Sequence, residues 1–538
     1  MEKNSNLMPE DVQRLLGKDA QSNNILAARM VAEVVKTTLG PKGMDKMLVG
    51  PTGDIIVTND GVTILSEMQI EHPAAKMIVE IARTQETEVG DGTTTAVMLA
   101  GKFLENAEKL LESKIHPTVI TKGYRMAAEK AQSILKDIAL RITSDDEDVL
   151  EQIAMTAMTG KGAEGSKESF SKIIVSAVKQ IEDNGKIDLN DIKIEKVQSD
   201  GVRDTELVDG IVFSKTRLSL DMPQKVNGAK IALINFPVEV KNPEIDTKIS
   251  ITSPGQLSGF VEEEERVIKE MIERIKSSGA NVLFCQKGVD DFAQYLLAKE
   301  NIYVCRRVSR SDLEKLSKAT GGKIVSNLKE LTGLELGNAS CVEEKICGEE
   351  KMTHVSGCQN PKAVTILIHG GSIHVIDEIE RAFMDGLGDV SSALRSGLVV
   401  AGGGAVEMEL CTRLNNFAKS FAGREQLAIF KFASALECIP STLAENAGLD
   451  PIDILTELKA AHERGDSNFG INLFNNKVEN VLSAKIIEPY KIKSQAISSA
   501  SEVAMMILRI DDVIAAKPNK GGNMMSAGEG LPGMMKDF

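Results

Sequence analysis

Gly90-Asp91-Gly92-Thr93-Thr94-Thr95, read GDGTTT, is the stretch on which the reading of this chain turns. A carboxylate stands between two glycines, three hydroxyls follow, and an apolar run begins. Glycine lets the backbone adopt positive φ and approach a ligand closely. The start of a helix offers free N–H groups and a positive dipole end to a phosphate. A carboxylate such as Asp91 suits the Mg²⁺ that accompanies a nucleotide. Taken alone, the stretch is equally a capped helix start, with Thr93 or Thr94 as the expected N-cap.

Downstream, Val97, Ala100, Leu104, Ala107 and Leu111 recur on one helical face. Upstream, an Ala/Val-rich helical pattern over 23–39 stops at Gly40-Pro41. Thr38-Leu39-Gly40-Pro41-Lys42-Gly43 by itself reads as a helix C-cap. Ile55, Ile56 and Val57, then Asn59-Asp60-Gly61, then Val62, Ile64 and Leu65 read as a β-hairpin around an Asn-Asp-Gly turn. Residues 1–140 are thus expected to be mostly helical.

The pattern changes in the middle. Strand-like runs at Val208–Phe213 and Lys230–Phe236 precede a long helix opened by Ser253-Pro254, with Leu257, Val261, Ile268, Met271, Ile272 and Ile275 as its stripe. Strands and helices then alternate to about 368, which describes an α/β module. A helical segment over 372–395, a Gly-rich turn at 397–404 and a helical remainder to about 516 resemble the first 140 residues in texture. Helical ends around an α/β middle suggest a discontinuous domain with a module inserted into it. The tail after Lys517, rich in Gly, Met, Pro and Ser, is expected to be disordered.

At 538 residues, two to four domains are expected. A net charge of −15 argues against a nucleic-acid backbone as partner. Aromatics at 4%, with no Trp, argue against base stacking. Seven cysteines without C-x-x-C spacing fit a reduced cytoplasmic setting. Neither a signal peptide nor a membrane-spanning apolar run is visible. No P-loop is present: Gly160-Lys161-Gly162-Ala163-Glu164-Gly165 lacks the Lys-Ser/Thr ending. Gly402-Gly403-Gly404 is not a dinucleotide fingerprint, G-x-S-x-G is absent, and the six histidines have no metal-ligand spacing.

Thr38–Lys46 (TLGPKGMDK), Asn59–Thr63 (NDGVT), GDGTTT, Val399–Glu407 (VVAGGGAVE) and Arg509-Ile510-Asp511-Asp512 occur in the order and spacing of chaperonins. Over nearly its whole length the chain resembles group II, the archaeal thermosome and eukaryotic cytosolic type. Ile249–Ser278 resembles the helical protrusion that serves as a built-in lid, and the Gly/Met tail resembles archaeal subunits. The resemblance implies a multidomain α and α/β fold. An equatorial ATPase domain would combine 1–145 and 403–538, with 517–538 as a flexible tail. An intermediate hinge domain would combine 146–213 and 370–402. The apical domain would be 214–369, with the protrusion at about 245–278. It also implies two stacked rings of about eight copies or paralogues, unfolded-protein clients, and no separate lid co-chaperonin, nucleic acid or membrane.

The cofactors implied are ATP/ADP and Mg²⁺. By the same resemblance Leu39, Gly40 and Pro41 pack against the nucleotide, and Asn59 lies near the γ-phosphate. Asp91 binds Mg²⁺, while Gly92, Thr93, Thr94 and Thr95 contact phosphate oxygens. Asp60 and Asp385 position and polarise water, and Lys161 senses the γ-phosphate. Gly403 lines the pocket and Glu488 contacts ribose. Two departures stand out. Asp385 precedes Gly386-Leu387-Gly388, where relatives commonly have Ala-Leu after the Asp; each helical glycine costs roughly 1 kcal/mol against alanine, so the helix is expected to soften or break. Asn472 stands where many archaeal relatives carry Asp. For client contact, the Asp312–Thr320 helix reads equally as chamber-facing or as an ordinary solvated helix; exposed Ile249 and Ile251 are the better candidates. Two other functions share these features: a chaperonin-fold scaffold or filament protein, and a small-molecule kinase with an unusual phosphate loop.

Overall fold

The computed structural model describes residues 12–50, 53–161, 164–183, 185–199, 201–240, 254–348, 350–359 and 361–516. The tail at 517–538, the expected protrusion tip with Ile249 and Ile251, and the side chain of Leu257 lie outside the described residues.

Helices from the two ends of the chain share one core. Gly17–Lys36, Pro73–Val89, Thr93–Glu112 and Pro117–Ile138 pack with Ala405–Ala418, Glu425–Leu436 and Tyr490–Leu508. The Thr93–Glu112 helix is central, because Ala96, Val97, Leu99, Phe103 and Leu104 bury more than one face. Its Phe103 ring stacks on Phe432 at 4.2 Å, and Tyr124 donates its hydroxyl to the Phe103 carbonyl at 2.8 Å. Truncating such a side chain to alanine costs about 3–5 kcal/mol. Among the described residues one segment, Glu425–Asn446, is as long and apolar as a membrane span. Its Ile429, Phe432, Leu436 and Ile439 lie in this core, which accounts for the composition.

A second core forms where Glu147–Met158, Lys167–Ile181 and Ile373–Ser396 meet a three-stranded sheet. In that sheet Val364–Gly370 lies between Ile192–Gln198, parallel, and Glu206–Val208, antiparallel. Phe170 and Phe383, from two of these helices, meet at 4.8 Å.

The middle of the chain builds a seven-stranded sheet. Tyr303–Cys305, Val282–Cys285, Lys225–Ile234, Gly337–Cys347, Glu350–Ser356 and Gly210–Phe213 follow in that order, and Ile324–Val325 pairs with Lys225–Ile234. Side chains alternate across a strand. Val282 and Phe284 therefore join Leu313 and Leu316 on one face, while Leu283 and Cys285 join Ile272 and Leu297 on the other. Burial on both faces explains the unbroken apolar run there. The Arg310–Thr320 helix thus packs one side in the core, and its Asp312 pairs with Lys193 at 2.5 Å. In the Pro254–Ser277 helix only the second half of the expected stripe is buried: Ile268, Ile272 and Ile275 are covered, whereas Val261 is exposed.

Three local expectations are corrected. The strand Ile55–Thr58 pairs upstream with Lys46–Val49, and Val62, Ile64 and Leu65 belong to a helix, Gly61–Glu67. Asp60 starts that helix, accepting from the Val62 and Thr63 N–H groups at 3.4 and 2.7 Å. The N-cap of Thr93–Glu112 is Gly92, at φ 79°, rather than Thr93 or Thr94. A left-handed position suits glycine, and no side chain caps the first turn. Finally, Ile373–Ser396 runs unbroken through Gly386 and Gly388.

Candidate active site

The loop from Gly90 to Gly92 joins two buried helices. Gly90, at φ 91°, closes Pro73–Val89, and its N–H donates to Gln85 O at 3.3 Å. The fully buried Gln85 amide donates to the carbonyls of Asp91 and Ile492, at 2.9 and 3.3 Å. These bonds hold the loop from behind and leave the uncapped first turn of Thr93–Glu112 facing a cavity of about 240 Å³.

Every residue named above for nucleotide, metal or water borders that cavity: Leu39, Gly40, Pro41, Asn59, Asp60, Asp91, Gly92, Thr93, Thr94, Thr95, Lys161, Asp385, Gly403 and Glu488. Different elements supply them. Leu39–Pro41 follow the first long helix, and Asn446 secures that end by donating to the carbonyls of Lys36 and Leu39 at 3.1 and 2.9 Å. Asn59 donates to Gly160 O at 3.4 Å, which brings the Thr159–Lys161 turn to the same mouth. Gly403 lies at the start of Ala405–Ala418, and Glu488 in a short strand paired with Leu398–Ala401.

Lys161 and Asp385 form an ion pair at the cavity wall, with side chains 18% and 16% exposed. Burial pushes Asp385 up to about 7; Asp91 and Asp60 act the same way, and Lys161 opposes them. Burial works against the Lys161 ammonium, but Asp385 and Asp91 outweigh it and hold the lysine charged. A second buried group surrounds Lys493, which pairs with Glu407 at 2.9 Å and Glu488 at 2.7 Å. Burial raises Glu488 above the usual carboxylate range despite Lys493. Apolar side chains complete the wall: Leu443 and Leu473 stand against Gly40, Ile492 against Gly92, and Ile439 and Ile471 also line it. The same wall thus offers charged groups and free N–H groups that suit phosphates and a cation, and apolar side chains that suit a flat ring.

Sequence reasoning missed Asp389, Lys493, Gln85 and Arg381. Asp389 stands four residues after Asp385, hence on the same helical face. Arg381 pairs with Glu378 at 2.5 Å beside the same cavity. Asn472 has a turn role: it donates to Glu479 at 2.6 Å and accepts from the N–H groups of Phe474 and Asn475 at 3.0 and 3.3 Å. Among the described residues no three His, Cys, Asp or Glu side chains form a metal cage. A cation here would complete its shell from the ligand and water.

A helical core closed by both chain ends, an inserted α/β module and this glycine-rich cavity define a chaperonin. The chain belongs to the TCP-1/cpn60 chaperonin family, whose model matches residues 31–518. It is 57% identical over 515 residues to a thermosome subunit of Methanopyrus kandleri, covering 95% of this chain and 94% of that one. Two thermosome subunits of Archaeoglobus fulgidus are also similar. The alpha subunit is 55% identical over 530 residues, 97% of each chain; the beta subunit is 54% identical over 539 residues, 99% of this chain and 98% of that one. The chain is a group II chaperonin.

Proposed function

We propose that this chain is an ATP-hydrolysing subunit that encloses unfolded proteins in a double ring and uses Mg·ATP turnover to close a built-in lid. The observation that carries the reading is the meeting, at one cavity, of the GDGTTT loop with the Lys161–Asp385 pair, which comes from a different packing unit. The residues fit a nucleotide. An uncapped helix start presents N–H groups to phosphate, Asp91 can take a cation, and the apolar wall suits a base. When bound, Mg²⁺ neutralises charge on the phosphate oxygens.

Hydrolysis of this kind needs positioning and charge more than covalent chemistry. Lys161 would carry positive charge to the terminal phosphate, while Asp60 and Asp385 orient water. Freeing Asp385 from Lys161 would then accompany arrival of the phosphate. Because the two sides of the cavity belong to separate cores, closure and turnover are coupled, and the nucleotide shifts the balance between open and closed forms.

The separate cores favour three domains made of the expected parts, 1–145 with 403–538, 146–213 with 370–402, and 214–369, with two bounds displaced by a strand: Val364–Gly370 packs in the second core, and Gly210–Phe213 belongs to the seven-stranded sheet. The Lys46–Val49 and Ile55–Thr58 hairpin exposes Met47, Val49, Ile55 and Val57, a surface suited to a neighbouring subunit. The alpha and beta naming of the Archaeoglobus relatives leaves both copies and paralogues as ring partners. The scaffold alternative has no support in the comparisons. The test is refolding of a chemically denatured client. Recovery should require hydrolysable ATP, and equal recovery with a non-hydrolysable analogue would overturn the proposal. A phosphorylated small product would point to a kinase instead.

A further inference from the structure

The ionised side chains around the cavity are mostly matched. Asp385 has Lys161, Glu488 has Lys493, Glu378 has Arg381, and Asp60 caps a helix. Asp389 is different. It lines the cavity, is 3% exposed, and its Oδ1 accepts no hydrogen bond among the described residues. A buried acceptor without a partner is costly, and a buried charge more so. Its charged surroundings are Asp91, Asp385 and Glu488, with Lys161 as the single opposing group among those acting most strongly on it. Lys161 is already engaged by Asp385. Like charges four residues apart on a helix repel, and Asp385 and Asp389 are so placed.

Asp91 lies on a different element but borders the same cavity, and the residues preceding the two carboxylates, Gly388 and Gly90, meet backbone to backbone. A small divalent cation between the carboxylates would satisfy the orphaned oxygen and relieve the repulsion together. Mg²⁺ and Mn²⁺ accept this arrangement, because they are held through one or two carboxylates plus phosphate oxygens and water.

We propose that Asp389 shares with Asp91 the divalent cation that accompanies the nucleotide, so that two carboxylates grip it and it can bind before the nucleotide arrives. This rests on the nucleotide reading of the cavity and adds a ligand to it. The hydroxyls of Ser391 and Ser392, also buried without partners among the described residues, do not border the cavity and play no part in the grip.

The experiment is Mn²⁺ titration of the full-length assembly without nucleotide, read by loss of the free-ion electron paramagnetic resonance signal. The expected result is one Mn²⁺ per subunit, with Kd raised about 10-fold or more in Asp389→Asn. Asp389→Ser repeats the measurement should asparagine disturb the helix. A wild-type assembly that takes up no Mn²⁺ until ADP is added overturns the proposal, as does an unchanged Kd in a folded variant. Binding of a fluorescent ADP analogue is followed in parallel. Its failure in the wild type would sink the nucleotide reading itself, whereas its success with no nucleotide-free Mn²⁺ sinks only the role of Asp389.

Discussion

Gly388→Ala tests how Asp385, the carboxylate proposed to act on water, is held. A Cβ built at Gly388 would stand 3.1 Å from Val89 O and 3.2 Å from the Gly90 Cα, both backbone atoms of the phosphate loop. Relief to the edge of ordinary contact, ~3.4 Å, needs a shift of about 0.3 Å. Alanine contributes up to about 1 kcal/mol of helix propensity, and overpacking costs about 1–3 kcal/mol, so the net effect is a loss of about 0–2 kcal/mol. Asp385 lies one turn earlier on the same helix and moves with it. If a 1 Å displacement costs about 100-fold, 0.3 Å costs about 4-fold. Gly386→Ala is the control. Its Cβ would meet Ile174 Cδ1 at 2.7 Å, the far end of a side chain that can rotate away. That variant should keep wild-type turnover and gain stability. Phosphate release at saturating Mg·ATP, with thermal unfolding of each protein, gives the comparison. Equal turnover in both variants, with both stabilised, would refute the claim that the contact with Gly90 positions Asp385.

Three further outcomes follow from the charges. Asp385→Ala should leave nucleotide binding and assembly intact but lower hydrolysis by about 10²–10⁴, the usual worth of a proton-accepting group; full turnover would remove its role with water. Asp91→Ala should weaken Mg·ATP binding itself, seen as a higher Kd in calorimetry, and unchanged affinity would count against it as a cation ligand. With Asp385 raised to about 7, its ionised form is present above that pH and lost below it. The kcat/KM for ATP, which reports the free enzyme, should therefore fall as pH drops through about 7. A profile flat down to about pH 5.5 would show that Asp385 does not carry the dependence.

The proposed phosphate grip was legible because its parts are contiguous: GDGTTT, NDG and the glycine triplet each declare a tight backbone. What those turns do next was less legible. Asn59-Asp60-Gly61 has the chemistry of a hairpin turn and equally of a helix start, since a short acidic side chain serves both. The β-branched run before it drew the reading to a hairpin, yet the partner strand lies upstream at Lys46–Val49. Asp389, in the run Gly388-Asp389-Val390-Ser391-Ser392, carries no local mark of burial, and an isolated helical Asp normally faces water. Its burial comes from tertiary packing, including the approach of the GDGTTT loop, where Gly388 meets Gly90. Asn472, noted in the sequence only as a departure from the Asp of relatives, serves its own turn.

The same distinction bears on control. The loop at Gly90–Gly92 is fastened from behind by Gln85 and needs nothing from the second core to keep its shape. Asp385 reaches the cavity from that second core, on a helix that touches the loop where Gly388 faces Gly90. Bulk at this crossing would separate the carboxylate from the phosphates without unmaking either part. The two glycines of the Asp385 helix are therefore not equivalent. Gly386 faces a side chain that can yield, and Gly388 faces backbone that cannot. The softness expected of a Gly-x-Gly helix is offset at Gly388 by a contact that only glycine allows.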